Sequence, residues 1–170
     1  MHDHWVMLAG YNAWANERIY AAVLAAPGGT FHADAGAFFG SLCGTLNHLL
    51  VTDRIWMRRF TGEGDAPDRL DAILHDDVLS LSEARAAEDR RISDWVARLT
   101  TERLAGPLRY ARMAAPDIIE QPLGSALAHM FNHHTHHRGQ AHAMLTRFGG
   151  RDAAPSLDLV NYQREAGLTT

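Results

Sequence analysis

His133 and His137 stand four residues apart inside HMFNHHTHHRGQ, and that spacing can do chemistry. A helix advances about 100° per residue, so side chains four apart lie about 40° apart on its surface. Two imidazoles so placed converge on one point and can hold a divalent cation through neutral ring nitrogens. Two ligands hold a metal weakly, so a third must come from another helix. His48, in GTLNHLLVTD, is the candidate. Three imidazoles would leave one or more coordination positions for water or substrate.

Other residues compete for the role. His129, His134 and His136 complete a run of five histidines among the eleven in the chain. The run lies inside a periodic segment, which is not where a purification tag sits. His134 falls within the apolar stripe and reads as a packing residue or an alternative ligand. His136 falls outside it and faces solvent. His129 continues the i, i+4 row toward the far end of the site. Asp53 falls in the middle of an apolar stripe, where a carboxylate must be paired or hydrogen-bonded. It reads first as an anchor for Asn12, Asn16 or Trp14, and second as an acceptor from a ligand imidazole. Gln140, one turn from His137, is placed to touch bound water or substrate. Arg138 reads as a salt-bridge partner. Arg54, Arg58 and Arg59 read as an ordinary solvated helix face. The plain alternative for every histidine is packing, since a lone histidine on an apolar helix is commonly a hydrogen-bonded core residue.

The elements that must position these groups are helical. Trp5, Leu8, Tyr11, Ala15, Ile19 and Ala22 recur at spacings of three and four, which predicts a helix over residues 4–26, stopped by Pro27-Gly28-Gly29. A second helix is predicted over 37–60, with Phe38, Leu42, Leu46, Leu49, Trp56 and Phe60 as its stripe. Residues 65–80 read as a polar connection with a short helical piece; their aspartates lack the spacing of a calcium loop. A third helix is predicted from Ser82, as cap, to Leu99, with Ala84, Ala87, Arg91, Trp95 and Leu99 on its packed face. Residues 101–122 read as an extended connection holding two short strands, LRYARM and DIIEQP, separated by two alanines and Pro116. A fourth helix is predicted over 123–148 and a short last one over 157–165, capped by Ser156. The expected fold is all-α: a single domain over residues 1–170, a four-helix bundle with a long connection before its last long helix.

Bulk properties bound the function. The chain has 170 residues, 46% hydrophobic and 21% charged, enough for a packed core. A net charge of −4 without a basic run argues against binding nucleic acid through phosphates. One cysteine, Cys43, excludes an intramolecular disulfide and reads as a small buried hydrophobe. MHDHWVML lacks the pattern of a secretory signal, and no apolar run is long enough to span a membrane, so a cytoplasmic setting is expected. A phosphate-binding glycine loop, a Cys-x-x-Cys pair, a nucleophile elbow and an HEXXH motif are all absent.

YNAWANERIY, GTLNHLLVTDRIWMRRF, HMFNHHTHHRGQAHAML and PSLDLVNYQREAG, taken in order, resemble the DinB-like family, a group related to bacillithiol and mycothiol S-transferases. The resemblance covers nearly the whole chain, and NHHTHHRGQ with the upstream NHLL is its most specific part. It implies an up-down-down-up four-helix bundle, a homodimer, and three histidine ligands at positions matching His48, His133 and His137. Nickel or zinc is the implied metal. Relatives use it to activate the thiol of a low-molecular-weight cofactor.

Three functions follow. The first is a metal-dependent enzyme acting on a small molecule, by thiol transfer or hydrolysis. The second is a non-catalytic metal-binding stress protein, a sensor or carrier. The third is a bundle whose histidines only pack. Ordinary imidazoles titrate near pH 6.5, so metal affinity is expected to fall below about that pH.

Overall fold

The computed structural model describes residues 2–113 and 117–169. The chain is mostly helical: α1 His2–Ala25, α2 Leu42–Thr61, α3 Val78–Ala97, α4 Thr101–Ala105, α5 Leu123–Gly149 and α6 Leu159–Glu165. Strands β1 Pro107–Ala111 and β2 Ile118–Pro122 form one antiparallel pair between α4 and α5, with Tyr110 opposite Ile119. These are the two strands that the sequence predicts. Ala114, Ala115 and Pro116, expected to separate them, lie outside the described residues.

The starts of α2, α3 and α6 differ from expectation. α2 begins at Leu42, not Ala37, with the Ser41 hydroxyl accepting from the Gly44 N–H at 3.2 Å. Gly36 and Gly40 take φ of 63° and 76°, which turns the chain between them and forbids a helix there. Phe38, expected in the apolar stripe, is 86% exposed. α3 begins at Val78, because the Asp77 carboxylate accepts from the N–H groups of Leu79 and Ser80. Ser82 lies inside the helix and caps nothing. No helical piece occurs between residues 62 and 77, and the short helix α4 was not expected. α6 starts at Leu159; Ser156 instead accepts from the Asn161 side chain at 2.9 Å.

α1 packs against α3 and α5, and α2 against α5 and α3. The apolar core is in two parts. One contains Trp56, Phe60, Ile92, Val96, Leu127 and Phe131; the other contains Ile19, Leu46, Leu50, Leu81, Met144 and Leu145. Each long helix places polar residues between these two parts: Asn12 and Asn16 on α1, Asp53 on α2, Arg85 and Asp89 on α3, His134 and Arg138 on α5. All are at most 5% exposed. Arg85 forms an ion pair with Asp53 and another with Asp89 at 3.0 Å. Asn12 and Asn16 donate to Asp89 at 3.0 Å, and Arg138 donates to the side-chain oxygens of both asparagines.

This layer corrects three expectations. The carboxylate that anchors Asn12 and Asn16 is Asp89, not Asp53, and Trp14 donates to Glu165 at 2.7 Å. Arg138 has amide partners and no ion pair among the described residues. The buried face of α3 is Leu81, Arg85, Glu88, Asp89, Ile92 and Val96; of the expected face, Leu99 is buried and Ala84 and Trp95 pack partly buried against the core, while Ala87 is exposed and Arg91 half-buried. No described helix is long and apolar enough to cross a membrane.

Removing one member of a buried ion pair leaves an uncompensated charge, at a cost of about 3–5 kcal/mol. Arg85→Met removes the cation paired with both Asp53 and Asp89, so its unfolding free energy from urea titration at pH 7 should fall by an amount in that range. A loss under about 1 kcal/mol, the worth of an exposed pair, would show that the layer does not hold the helices together.

Candidate metal centre

His48 sits on α2, and His133 and His137 on successive turns of α5. One ring nitrogen from each lies within 4.8 Å of the other two. Nε2 of His48 is 3.1 Å from Nε2 of His133, and the ring centroids of His137 stand 4.5 Å from His48 and 4.3 Å from His133. His48 and His137 are buried and His133 half-buried.

Hydrogen bonds fix which nitrogen is free. His48 Nδ1 lies 2.8 Å from the Leu70 carbonyl oxygen, which can only accept, so Nδ1 carries the proton and Nε2 the lone pair. Gln140 donates to His136 Nε2 at 3.2 Å, which turns its oxygen toward His137 Nδ1 at 2.7 Å. His137 therefore also keeps its proton on Nδ1 and directs a lone pair from Nε2. An outer partner that orients a ligand imidazole in this way is the usual support of a metal site. The donor set fits a borderline divalent cation: three neutral nitrogens, with no carboxylate among them.

Burial sets the protonation state. It pushes His48 down to about 4, although the Leu70 carbonyl opposes the shift. It pushes His133 down to about 3, helped by the neighbouring histidines, and His137 also downward. A solvated imidazole would begin to lose a metal to protons below about pH 6.5. In the folded protein that competition moves to near pH 4 for His48.

The other candidates fall elsewhere. His134 is fully buried and points away from the trio into the polar layer, donating from Nε2 to Asp53. Arg138 approaches its Nδ1 at 3.4 Å, which as a donor requires that nitrogen to be the acceptor. Asp53 thus meets an imidazole, but not one of the three. Burial alone would raise the Asp53 carboxyl; His134 and Arg85 hold it below its ordinary value. His136 is exposed, and His129 lies against Trp56 with ring centroids 5.3 Å apart. Cys43 is buried and free, as its apolar surroundings imply, and burial raises its thiol.

Two functional neighbours escape the sequence reading. The Leu70 carbonyl is backbone and carries no side-chain signature. Phe39 stacks on His48 with centroids 3.9 Å apart, closing one side of the centre. Gly44 makes that possible: a Cβ there would stand 2.0 Å from the Phe39 carbonyl oxygen. On the other side, His48 and His133 border a cavity of about 490 Å³ that also contacts Trp56, Arg59, Tyr110 and His129. A larger groove of about 680 Å³ between α1 and α3 touches none of the three histidines.

The DinB family's sequence model matches residues 1–168. The chain belongs to the DinB family. It is 29% identical over 165 residues to protein DinB of Bacillus subtilis (strain 168), with 92% of each chain covered. No solved structure gives a significant match. The family match spans both histidine-bearing helices, so this DinB-family chain carries its trio within the matched region.

The metal-free protein should lose stability as pH falls. Unfolded histidines take protons near pH 6.5, while folded His48 and His133 resist them to about 4 and about 3. The unfolded state therefore binds more protons in that window. The stabilising contribution is complete above about pH 6.5 and declines as pH drops toward 4. Thermal melts of metal-free protein from pH 7.5 to 4.5 should show Tm falling, with a shallower slope in His133→Ala. Parallel slopes in the two proteins would count against burial of the neutral ring.

Proposed function

We propose that this DinB-family protein binds one divalent metal ion, nickel or zinc, through Nε2 of His48, His133 and His137. In this reading it acts on a small molecule at the remaining coordination positions, as a thiol S-transferase or a hydrolase. The observation that carries it is the convergence of three neutral imidazoles from two helices, two with their free nitrogen selected by Leu70 and Gln140. Nε2 of His48 and Nε2 of His133 lie 3.1 Å apart, so a cation taking the place of the single proton between them would have both nitrogens directed at it. A cation bound there would lower the pKa of a coordinated water or thiol toward neutrality and so supply a nucleophile.

The chain's own residues take the remaining roles. Gln140 orients His137. Phe39 excludes water from one side of the centre, and the cavity on the other side admits the substrate. His129, in the cavity wall with its ring centroid 6.0 Å from that of His133, is placed to exchange a proton with a bound molecule. The pairing of α1 with α3 and α5, and of α2 with α5 and α3, supports a four-helix bundle in up-down-down-up order. The family match over residues 1–168 supports a single domain. A homodimer, a low-molecular-weight thiol as co-substrate and a cytoplasmic setting complete the proposal and rest on family likeness.

Untagged protein, reconstituted with nickel or zinc and desalted, should retain about one metal per chain, as coupled folding and binding at one site requires. His137→Ala should lose it. Gln140→Ala should keep the site but weaken affinity about 10–100-fold, the usual effect of removing a group that orients a ligand. The loaded protein should conjugate a small thiol to an electrophile or hydrolyse an ester. No metal after reconstitution, or activity unchanged in His137→Ala, would remove the metal mechanism.

A further inference from the structure

The cavity beside the three histidines is uneven in charge. Its wall includes the cations Arg59 and Arg112 and the polar or aromatic residues His129, Thr52, Trp56 and Tyr110, but no aspartate or glutamate among the described residues. That absence stands out in a chain of net charge −4. Arg59 is also fixed in place. Its guanidinium packs against the edge-to-face pair of Trp56 and Tyr110, 4.5 Å and 4.6 Å from their centroids, and donates to the Ala111 carbonyl at 3.3 Å. It is half-buried, and no carboxylate pairs with it among the described residues. A guanidinium cannot shed its charge at any working pH. An immobilised, partly desolvated cation without a counter-ion has donors left for an anionic ligand.

The placement sets the ligand's length. His48, Thr52, Trp56 and Arg59 follow one stripe of α2 and all line the cavity. At 1.5 Å per residue, His48 and Arg59 are separated by about 16 Å along the helix, and their side chains take up several ångströms of that span. A molecule of about 10 Å fits between, and a volume of about 490 Å³ lies in the range of small-molecule sites.

We infer that this cavity selects an elongated organic anion, with its carboxylate or phosphate on Arg59, its apolar body along Ile55 and Trp56, and its reacting end at the histidines. The inference builds on the proposed metal site for the reacting end only. Arg59 makes the ligand's charge the specificity element, and it does so at the end of the cavity remote from the chemistry.

The test uses 4-phenylbutanoate, its neutral amide 4-phenylbutanamide and 3-phenylpropylphosphonate, titrated calorimetrically into metal-free and zinc-loaded protein, with tryptophan fluorescence followed in parallel. At least one anion should bind about tenfold or more tighter than the amide, the scale of a charge-assisted bidentate contact. Whichever anion is favoured identifies the group. Arg59→Met should reduce the preference to within about twofold while metal content and circular dichroism stay the same; Arg59→Lys should keep part of it, and Arg112→Met nearly all of it. Equal binding of acid and amide, no binding of any probe, or a preference that survives Arg59→Met would overturn the inference. Charge preference without metal uptake would overturn the metal reading and leave this one standing. Metal uptake without charge preference would do the reverse.

Discussion

Asp53 has to be paired. A carboxylate fully buried among four helices costs several kcal/mol unless other groups neutralise and hydrogen-bond it, and here Arg85 and His134 do so. Arg85 then engages Asp89, Asp89 engages Asn12 and Asn16, and the asparagines accept from Arg138. Two carboxylates and two guanidiniums balance, with His134 neutral because burial disfavours its charged form. Such a layer adds little net stability over apolar packing, but it is satisfied in only one register of the helices. Sliding α5 a turn in one direction would put Met130 or Phe131 against Asp53.

That register brings the three histidines together. His134 lies between His133 and His137 in sequence, and its bond to Asp53 sets the rotation of α5 about its axis. With His134 aimed at the core, helical geometry carries His133 and His137 round to the seam with α2, where His48 waits. Asp53 therefore acts on the site at one remove. It touches none of the three imidazoles and still determines where two of them point. The two apolar clusters on either side of the layer clamp it, with Met57, Leu127 and Met130 toward one end and Leu49, Leu50 and Leu145 toward the other.

Legibility in the sequence follows how each element buries itself. α1 and α5 were readable to within a residue or two because apolar side chains mark their inner faces at a period of 3.6. α3 is legible only in part: Ala84, Trp95 and Leu99 do pack, but its inner face also carries Arg85, Glu88 and Asp89, so that stretch looks solvated and the exposed Ala87 looks packed. The start of α2 was misplaced because Phe38 and Phe39 continue the apolar pattern through a glycine turn, where one ring faces solvent and the other stacks on His48. The histidine trio was visible because i, i+4 spacing is a geometric statement. Its supports were visible only in part: Gln140 has a side chain to read, whereas the Leu70 carbonyl does not. Choosing between Asp53 and Asp89 as partner of the α1 asparagines needs the packing order of the helices, which no single segment encodes. Arg59 is not distinguishable among neighbouring arginines, since only the tertiary structure shows one of them packed against Trp56 and Tyr110.

Protonation ties the two halves of the site together. His48 and His137 each spend their one proton on an oxygen outside the trio, and each presents a bare Nε2 inward. His133 Nε2, 3.1 Å from His48 Nε2, can relieve the repulsion only by carrying a proton there itself. The metal-free centre thus accommodates a single bridging hydrogen among three nitrogens, and burial prevents a second from entering above about pH 4. Because the rings are already neutral and already oriented, a cation does not have to drive protons off its ligands or turn two of the three rings; only His133 must change tautomer. The layer around Asp53 supplies that preorganisation, and in the adjoining cavity Arg59 is the cation held in place by neighbouring aromatic rings.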